Sequence, residues 1–233
     1  LFSMWLVDWL KKKRSPSLNT MNTMFLSRSA LEHNFHVVQS LKPDDGIFPV
    51  VKSNAYGHGL HEVATILWGI PNIPFVCADS YVEYQRIKKY TSHRVLIIGE
   101  TNPENYDAFD WRRTSFAVYS LRVLNYLIQK WKKVHIHIFL NTWMNREWVQ
   151  EQVLRDMLRR LEWQDHISIE WVMSHLAMWD EPSAKFTKKQ VAEFKRLCGL
   201  IEQAGHMPRR KHIWNSPGIA KIDDSYFTWW RTG

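Results

Sequence analysis

Glycine is scarce in this chain. It supplies 9 of 233 residues, about 4%, where ~7% is usual. Cysteine is scarcer still, at two residues. Cys77 and Cys198 form no CxxC pair and share no metal-ligand spacing. That excludes a disulfide framework and leaves two reduced thiols, as expected of a cytoplasmic protein with no metal. Cys77 sits in an apolar run and reads as a small core residue. No apolar run reaches transmembrane length, so no membrane partner is expected. The first residues, "LFSMWLVDWLKKKR", carry their charges after the apolar part, the reverse of a secretory signal. They read as a short amphipathic helix. "RSPSLNTMNT" then reads as a linker, which sets residues 1–23 apart from 24–233. No basic run is interleaved with aromatics, so the net charge of +8 does not imply a nucleic-acid partner.

What is present is alternation. Short apolar runs at 47–52, 75–78, 95–98, 115–118, 134–140, 167–173, 212–215 and 226–230 read as eight strands. Helical spacing fills most gaps, at Leu60–Leu67, Ser80–Tyr90, Leu121–Lys130, Glu147–Leu161 and Ser183–Ala204, with a weaker helical stretch around Pro103–Phe109. A further helix over 27–41, capped by Ser27 or Ser29, precedes the first strand. Strand–helix alternation implies parallel pairing through crossovers, and eight units imply an α/β fold of the (β/α)8 TIM-barrel type. A doubly wound open sheet is the alternative.

Barrel chemistry sits at the C-terminal ends of the strands, with phosphate commonly held after strands seven and eight. The first strand ends in Lys52, followed by Asn54, Tyr56, Gly57 and His58. The fifth leads into "NTWMNR" and Arg146. The sixth runs to His175, the seventh to Asn215 and Ser216, and the eighth to Arg231 and Gly233. A lysine, two arginines, a histidine and a Ser/Gly cradle at one mouth suit a phosphorylated carbonyl cofactor held as a Schiff base. His135 and His137 alternate on one strand; without a third ligand at suitable spacing they read as packing residues.

At these residues the chain resembles the alanine racemases. "VVKSNAYGHG" is similar to that family's pyridoxal-phosphate lysine motif, and "NTWMNRE" to its "DTGMNR" segment. "SHLA", "HIWNSPGI" and "RTG" resemble its "THF", "ANSAG" and "RPG" segments, in the family's order, from about Met24 to Gly233. The resemblance implies that Lys52 forms the Schiff base with pyridoxal 5'-phosphate and acts as base on one face of the substrate Cα. It implies that Tyr56, Ser216 and the Gly233 backbone hold the phosphate, beside Asn215. Arg231 would face the pyridine nitrogen; because arginine gives up no proton, that nitrogen would stay unprotonated. Arg146 would contact the phenolic oxygen and support the substrate carboxylate. His175 would pack on the ring, and His212 would brace Arg231. The implied activity is interconversion of L- and D-alanine for peptidoglycan by a homodimer. A single-domain pyridoxal-phosphate homeostasis protein, or an inactive barrel, is the alternative.

Three departures bear on this. Asn141 stands where the family usually has aspartate, and Phe139 where many members have a lysine that can be carbamylated, so Arg146 is expected to be held differently. The chain stops before the family's C-terminal β domain, which supplies a tyrosine as the base on the opposite face, from the partner subunit. Weak cofactor binding and little racemase activity are therefore expected of these 233 residues alone. Finally, tryptophan, at 13 residues, outnumbers glycine. Trp143 falls at the glycine of "DTGM", and Trp148, Trp171 and Trp179 follow a similar pattern. Trp131 and Trp163 follow helical runs, where glycine is favoured, and Trp229 and Trp230 precede "RTG". Reading all 13 tryptophan codons as glycine, through reassignment of UGA, would raise glycine to 22, about 9%.

Overall fold

The computed structural model describes residues 23–41, 43–146, 148–178, 184–213, 224–227 and 229–232. The expected leading helix and most of the linker lie outside them. Helix α1 (Arg28–Leu41) precedes strand β1 (Gly46–Pro49). Then come α2 (Leu60–Trp68), β2 (Phe75–Ala78), α3 (Tyr81–Ile87), β3 (Arg94–Ile97) and a 3-10 turn (Pro103–Ala108). The chain continues with β4 (Thr114–Val118), α4 (Leu121–Gln129), β5 (Val134–Phe139), α5 (Glu151–Leu161), β6 (Ile167–Met173), α6 (Lys185–Gln203), β7 (Arg210–His212) and β8 (Trp229–Thr232). Among the described residues, no helix is long and apolar enough to cross a membrane.

Strands form at or beside all eight expected places, β7 ending at His212 where the expected seventh strand began, and every pair in the sheets is parallel. β2 to β7 make one continuous sheet, and β8 pairs with β1. A bridge between Val50 and Cys77 links β1 to β2, and β7 lies beside β8. The cyclic order is that of a (β/α)8 barrel. Its strands are apolar on both faces, as "FVCA" in β2 is, because one face meets helices and the other fills the barrel. Phe48, Phe75, Cys77, Leu96, Phe139, Trp171 and Met173 form that inner filling. Cys77 is fully buried, as its apolar run implied.

The helices begin where their sequences say they should. Ser80 accepts from the Glu83 N–H, and Ser120 from the Val123 N–H, both at 3.4 Å, so serine caps open α3 and α4. Some expected boundaries move. The first strand stops at Pro49, so Lys52 stands in a separate turn. α5 begins at Glu151 rather than Glu147, because Val149 pairs with Leu140 instead. β8 runs through Arg231, which is therefore inside the barrel and not beyond its last strand.

Toward the N-terminal ends of the strands the barrel is closed by a charge-paired polar set. Arg94 donates to both Glu170 oxygens, at 2.8 and 3.1 Å, and to the Ser115 hydroxyl at 2.8 Å. Ser115 also donates to Glu170, at 3.1 Å. His137 lies 3.5 Å from the same carboxylate. Burial alone would raise the Glu170 carboxyl; the His137 and Arg94 contacts outweigh it and hold the group well below the usual carboxylate range. His137 is thus a core residue, and His135 pairs with Ser168 at 2.7 Å.

Candidate active site at the barrel mouth

The turn after β1 is left-handed. Ser53, Asn54, Ala55 and Tyr56 all have φ between 53 and 57°. Each such residue costs roughly 1–2 kcal/mol relative to the right-handed form, and asparagine tolerates it best. Such strain persists only where the surroundings fix it. Here Ala55 N–H donates to Val51 O at 2.9 Å, and Gly57 N–H to Ser53 O at 3.0 Å. The Asn54 side chain accepts from Leu60 N–H at 3.0 Å. Gly57 and Gly59 follow at φ 90 and 99°, the conformation that glycine adopts without penalty. The "SNAYGHG" sequence is thus the turn itself, and it leaves Lys52 half-buried at the inner rim.

A cavity of about 740 Å³ opens there, lined by Lys52, Tyr56, Asp79, Tyr119, Arg146, His175 and Arg231 among others. It extends under α1 to Leu31 and Phe35. Five of the eight sequence-predicted site residues therefore meet at one mouth. Asn215, Ser216 and Gly233 lie outside the described residues. The predicted brace is present: Arg231 Nη1 is 3.2 Å from His212 Nδ1. Arg231 Nη2 also donates to Ser174 O and lies 3.5 Å from His175 Nδ1. Its guanidinium sits 5.4 Å from the Phe139 ring centre, a cation–π distance.

The mouth is cationic. Lys52 and Arg146 have no ion-pair partner among the described residues, and Arg231 touches only neutral groups. Burial pulls Arg231 down to about 10. Burial, then the charges of Arg231, Arg146 and Lys52, push His175 down to about 3, so it is a neutral ring at ordinary pH. Burial and Arg231 put His212 well below its usual value too. Burial raises Tyr56, and Asp79 adds to the rise while Arg231 opposes it.

The two departures before Arg146 take other roles. Asn141 does not reach for it; its side chain accepts from Asn145 N–H at 3.1 Å and donates to the Asn145 side chain at 3.0 Å, closing the loop before the arginine. Phe139 stacks between Tyr119 (5.3 Å) and Trp148 (4.3 Å), an apolar wall where a lysine would have stood. Behind this loop, Gln190 of α6 donates to Thr142 O at 2.7 Å and to His175 O at 3.2 Å, and accepts from Ala177 N–H at 2.9 Å. Sequence reasoning missed Asp79, Tyr119 and Gln190. Asp79 had a signal, since it directly follows the second strand; Gln190, inside a long helix, had none.

A parallel barrel whose C-terminal mouth gathers a lysine and two arginines is suited by its charge to an anionic small molecule. Comparison with known proteins narrows that class. Residues 26–233 match the family described as alanine racemase, N-terminal domain, and the chain belongs to that family. It is 30% identical over 215 residues to the alanine racemase of Citrifermentans bemidjiense, covering 88% of this chain and 57% of that one. It is 30% identical over 213 residues to that of Nitrosomonas europaea, covering 90% and 57%. Among solved structures, alanine racemase from Corynebacterium glutamicum superposes with a TM-score of 0.81 at 27% identity, over 88% of this chain and 60% of that one. A histidine racemase from Leuconostoc mesenteroides shares the fold, with a TM-score of 0.75 at 21% identity. The chain spans a little over half the length of the curated relatives it matches.

Proposed function

We propose that this chain is the cofactor-binding barrel of a pyridoxal-phosphate-dependent alanine racemase. One observation carries the proposal: an amine, Lys52, and two guanidiniums, Arg146 and Arg231, line one cavity without a carboxylate partner among the described residues. Cations left unpaired by the protein call for an anion from outside it. Pyridoxal phosphate fits the donor set, because it combines a phosphate, a phenolic oxygen and an aldehyde that a primary amine can engage. When bound, it supplies an electron sink for charge developing at the substrate Cα.

The residues then divide the work. Lys52 accepts the Cα proton on the face it occupies. Arg231 would donate to the ring nitrogen of the bound cofactor and, being unable to give up a proton, would leave it unprotonated. Arg146, at the solvent side, orients the substrate carboxylate and the phenolic oxygen. Tyr56, Asn215, Ser216 and the Gly233 backbone hold the phosphate. His175 packs as a neutral ring, and His212 fixes Arg231. The substrate is alanine, the acting species is a homodimer, and the second proton-transfer group on the opposite face comes from outside these 233 residues. The site works in the cytoplasm, supplying D-alanine to peptidoglycan.

The test is incubation of the chain and pyridoxal phosphate with L-alanine and, separately, with D-alanine in D2O. Deuterium at Cα of one enantiomer, without conversion to the other, is the expected result, since one base washes one face. Borohydride treatment should fix the cofactor on Lys52 by peptide mapping. Neither deuterium nor a Lys52 adduct, in a folded chain, would overturn the proposal.

A further inference from the structure

We propose that Glu83 is a positioning residue for Lys52. Its carboxylate joins two strand ends at the mouth: Oε1 accepts from Ser53 N–H at 2.6 Å, and Oε2 from Asp79 N–H at 2.7 Å. Ser53 is the first residue of the left-handed turn and is bonded to Lys52. Asp79 is the first residue past β2 and lines the same cavity. These two amides sit where the strand ladders have ended. An ionised carboxylate is the strong acceptor for both, one oxygen each. Glu83 itself is fixed in the first turn of α3, with its own N–H on the Ser80 cap. The helix therefore holds the carboxylate, the carboxylate holds the turn, and the turn sets where the Lys52 amine points. Among the described residues no other hydrogen bond takes up the Ser53 N–H.

This role rests on Lys52 being the cofactor-attaching amine, so its test needs a readout that stands without cofactor. Amide hydrogen exchange in the cofactor-free chain gives one. In Glu83→Ala, Ser53 and Asp79 N–H should exchange at least tenfold faster. In Ser80→Ala, which removes the cap of the same helix and leaves the carboxylate, they should not. Glu83→Gln keeps one acceptor oxygen and should restore protection at one amide. Pyridoxal phosphate is then added, and its borohydride-fixed attachment to Lys52 should slow about tenfold in Glu83→Ala and stay unchanged in Ser80→Ala. Unchanged exchange in Glu83→Ala overturns the clamp. Faster exchange with unchanged attachment overturns the positioning role. No attachment in the unaltered chain defeats the cofactor proposal instead, and the exchange result still decides the clamp.

A separate observation concerns tryptophan. Trp131 and Trp143 have φ of 51 and 67°, and both are exposed, at 78% and 46%. Trp131 follows the last residues of α4, the position that glycine usually fills in left-handed form. Trp229 lies so close over Gly46 that no side chain could replace that hydrogen. A bulky indole gains nothing from positive φ on a surface; glycine is the residue these backbones suit. We infer that positions 131 and 143 are glycine in the protein the cell makes, with their codons read accordingly. Peptide sequencing of natively expressed protein should find glycine at both positions. Tryptophan at 143 overturns the inference.

Discussion

The two ends of this barrel solve the same problem oppositely. At the closed end, Arg94 and Glu170 pair within 2.8 Å, and Ser115 takes up the remaining contacts. At the mouth, Lys52, Arg146 and Arg231 share a cavity in which Asp79 is the acidic side chain and pairs with none of them. A buried pair that satisfies itself has no use for a ligand. Cations held apart from carboxylates carry an unspent affinity for anions, and the fold bears that cost through backbone contacts such as Arg231 to Ser174 O. Charge completeness thus separates the end that holds the fold from the end that binds.

The largest test removes one partner at the closed end. Arg94→Ala leaves Glu170, 9% exposed, without its counter-ion. The expected loss is about 3 kcal/mol, the low end for a broken buried pair because Arg94 is 32% exposed. Urea unfolding measures it, and pyridoxal phosphate affinity in the folded fraction should hold. If Arg94→Met with Glu170→Leu is just as unstable as Arg94→Ala, the loss came from packing and the contrast fails.

At the mouth the expectation reverses, because filling it should stabilise. Pyridoxal phosphate at a hundred times its Kd adds about 2.7 kcal/mol by mass action. The midpoint of thermal unfolding should rise with the cofactor, and its Kd should weaken with salt. A Kd indifferent to salt would mean that the free cations do not drive binding. Behind the mouth stands Gln190, whose four hydrogen bonds tie α6 to the loops carrying Thr142 and His175. At ~0.5 kcal/mol net per bond, the lower end for such contacts, Gln190→Ala should cost about 2 kcal/mol and also weaken cofactor binding. An effect on stability alone would make Gln190 part of the closed end's frame.

The strands were legible in sequence because each is a short apolar run between turn residues, and burial on both faces leaves no other pattern. Their exact ends were less so. Whether Arg231 lay in or after β8 depended on pairing with Phe48 of the neighbouring strand β1, distant in sequence, which no local signal reports. Lys52, Arg146, His175 and Arg231 could be gathered because a barrel fixes where strand ends go. Glu83 was half legible: Ser80 and Glu83 spell a helix start, but the carboxylate turned away from its own helix to grip Ser53 and Asp79. That choice is tertiary. The left-handed run at Ser53–Tyr56 was equally hidden, since only Asn54 among those four residues favours it.

The smallest expected effect concerns His175, where the mouth's charge can be read by titration. Its folded pKa, near 3, lies below the ordinary 6.5, through burial and then Arg231, Arg146 and Lys52. Between those values the unfolded chain binds a proton that the folded chain refuses. Stability from this group is therefore full above about 6.5 and falls as pH drops toward 3. One group contributes a slope of at most ~1.4 kcal/mol per pH unit. His175→Asn should flatten the stability profile across that window, while the buried His137 and His212 keep their share of the slope. Bound pyridoxal phosphate should flatten it as well, because its negative charge offsets the three cations that keep the proton away. An equal slope in His175→Asn and the unaltered chain, measured by urea unfolding at pH 5 to 7, would mean that the cations of the mouth do not reach His175.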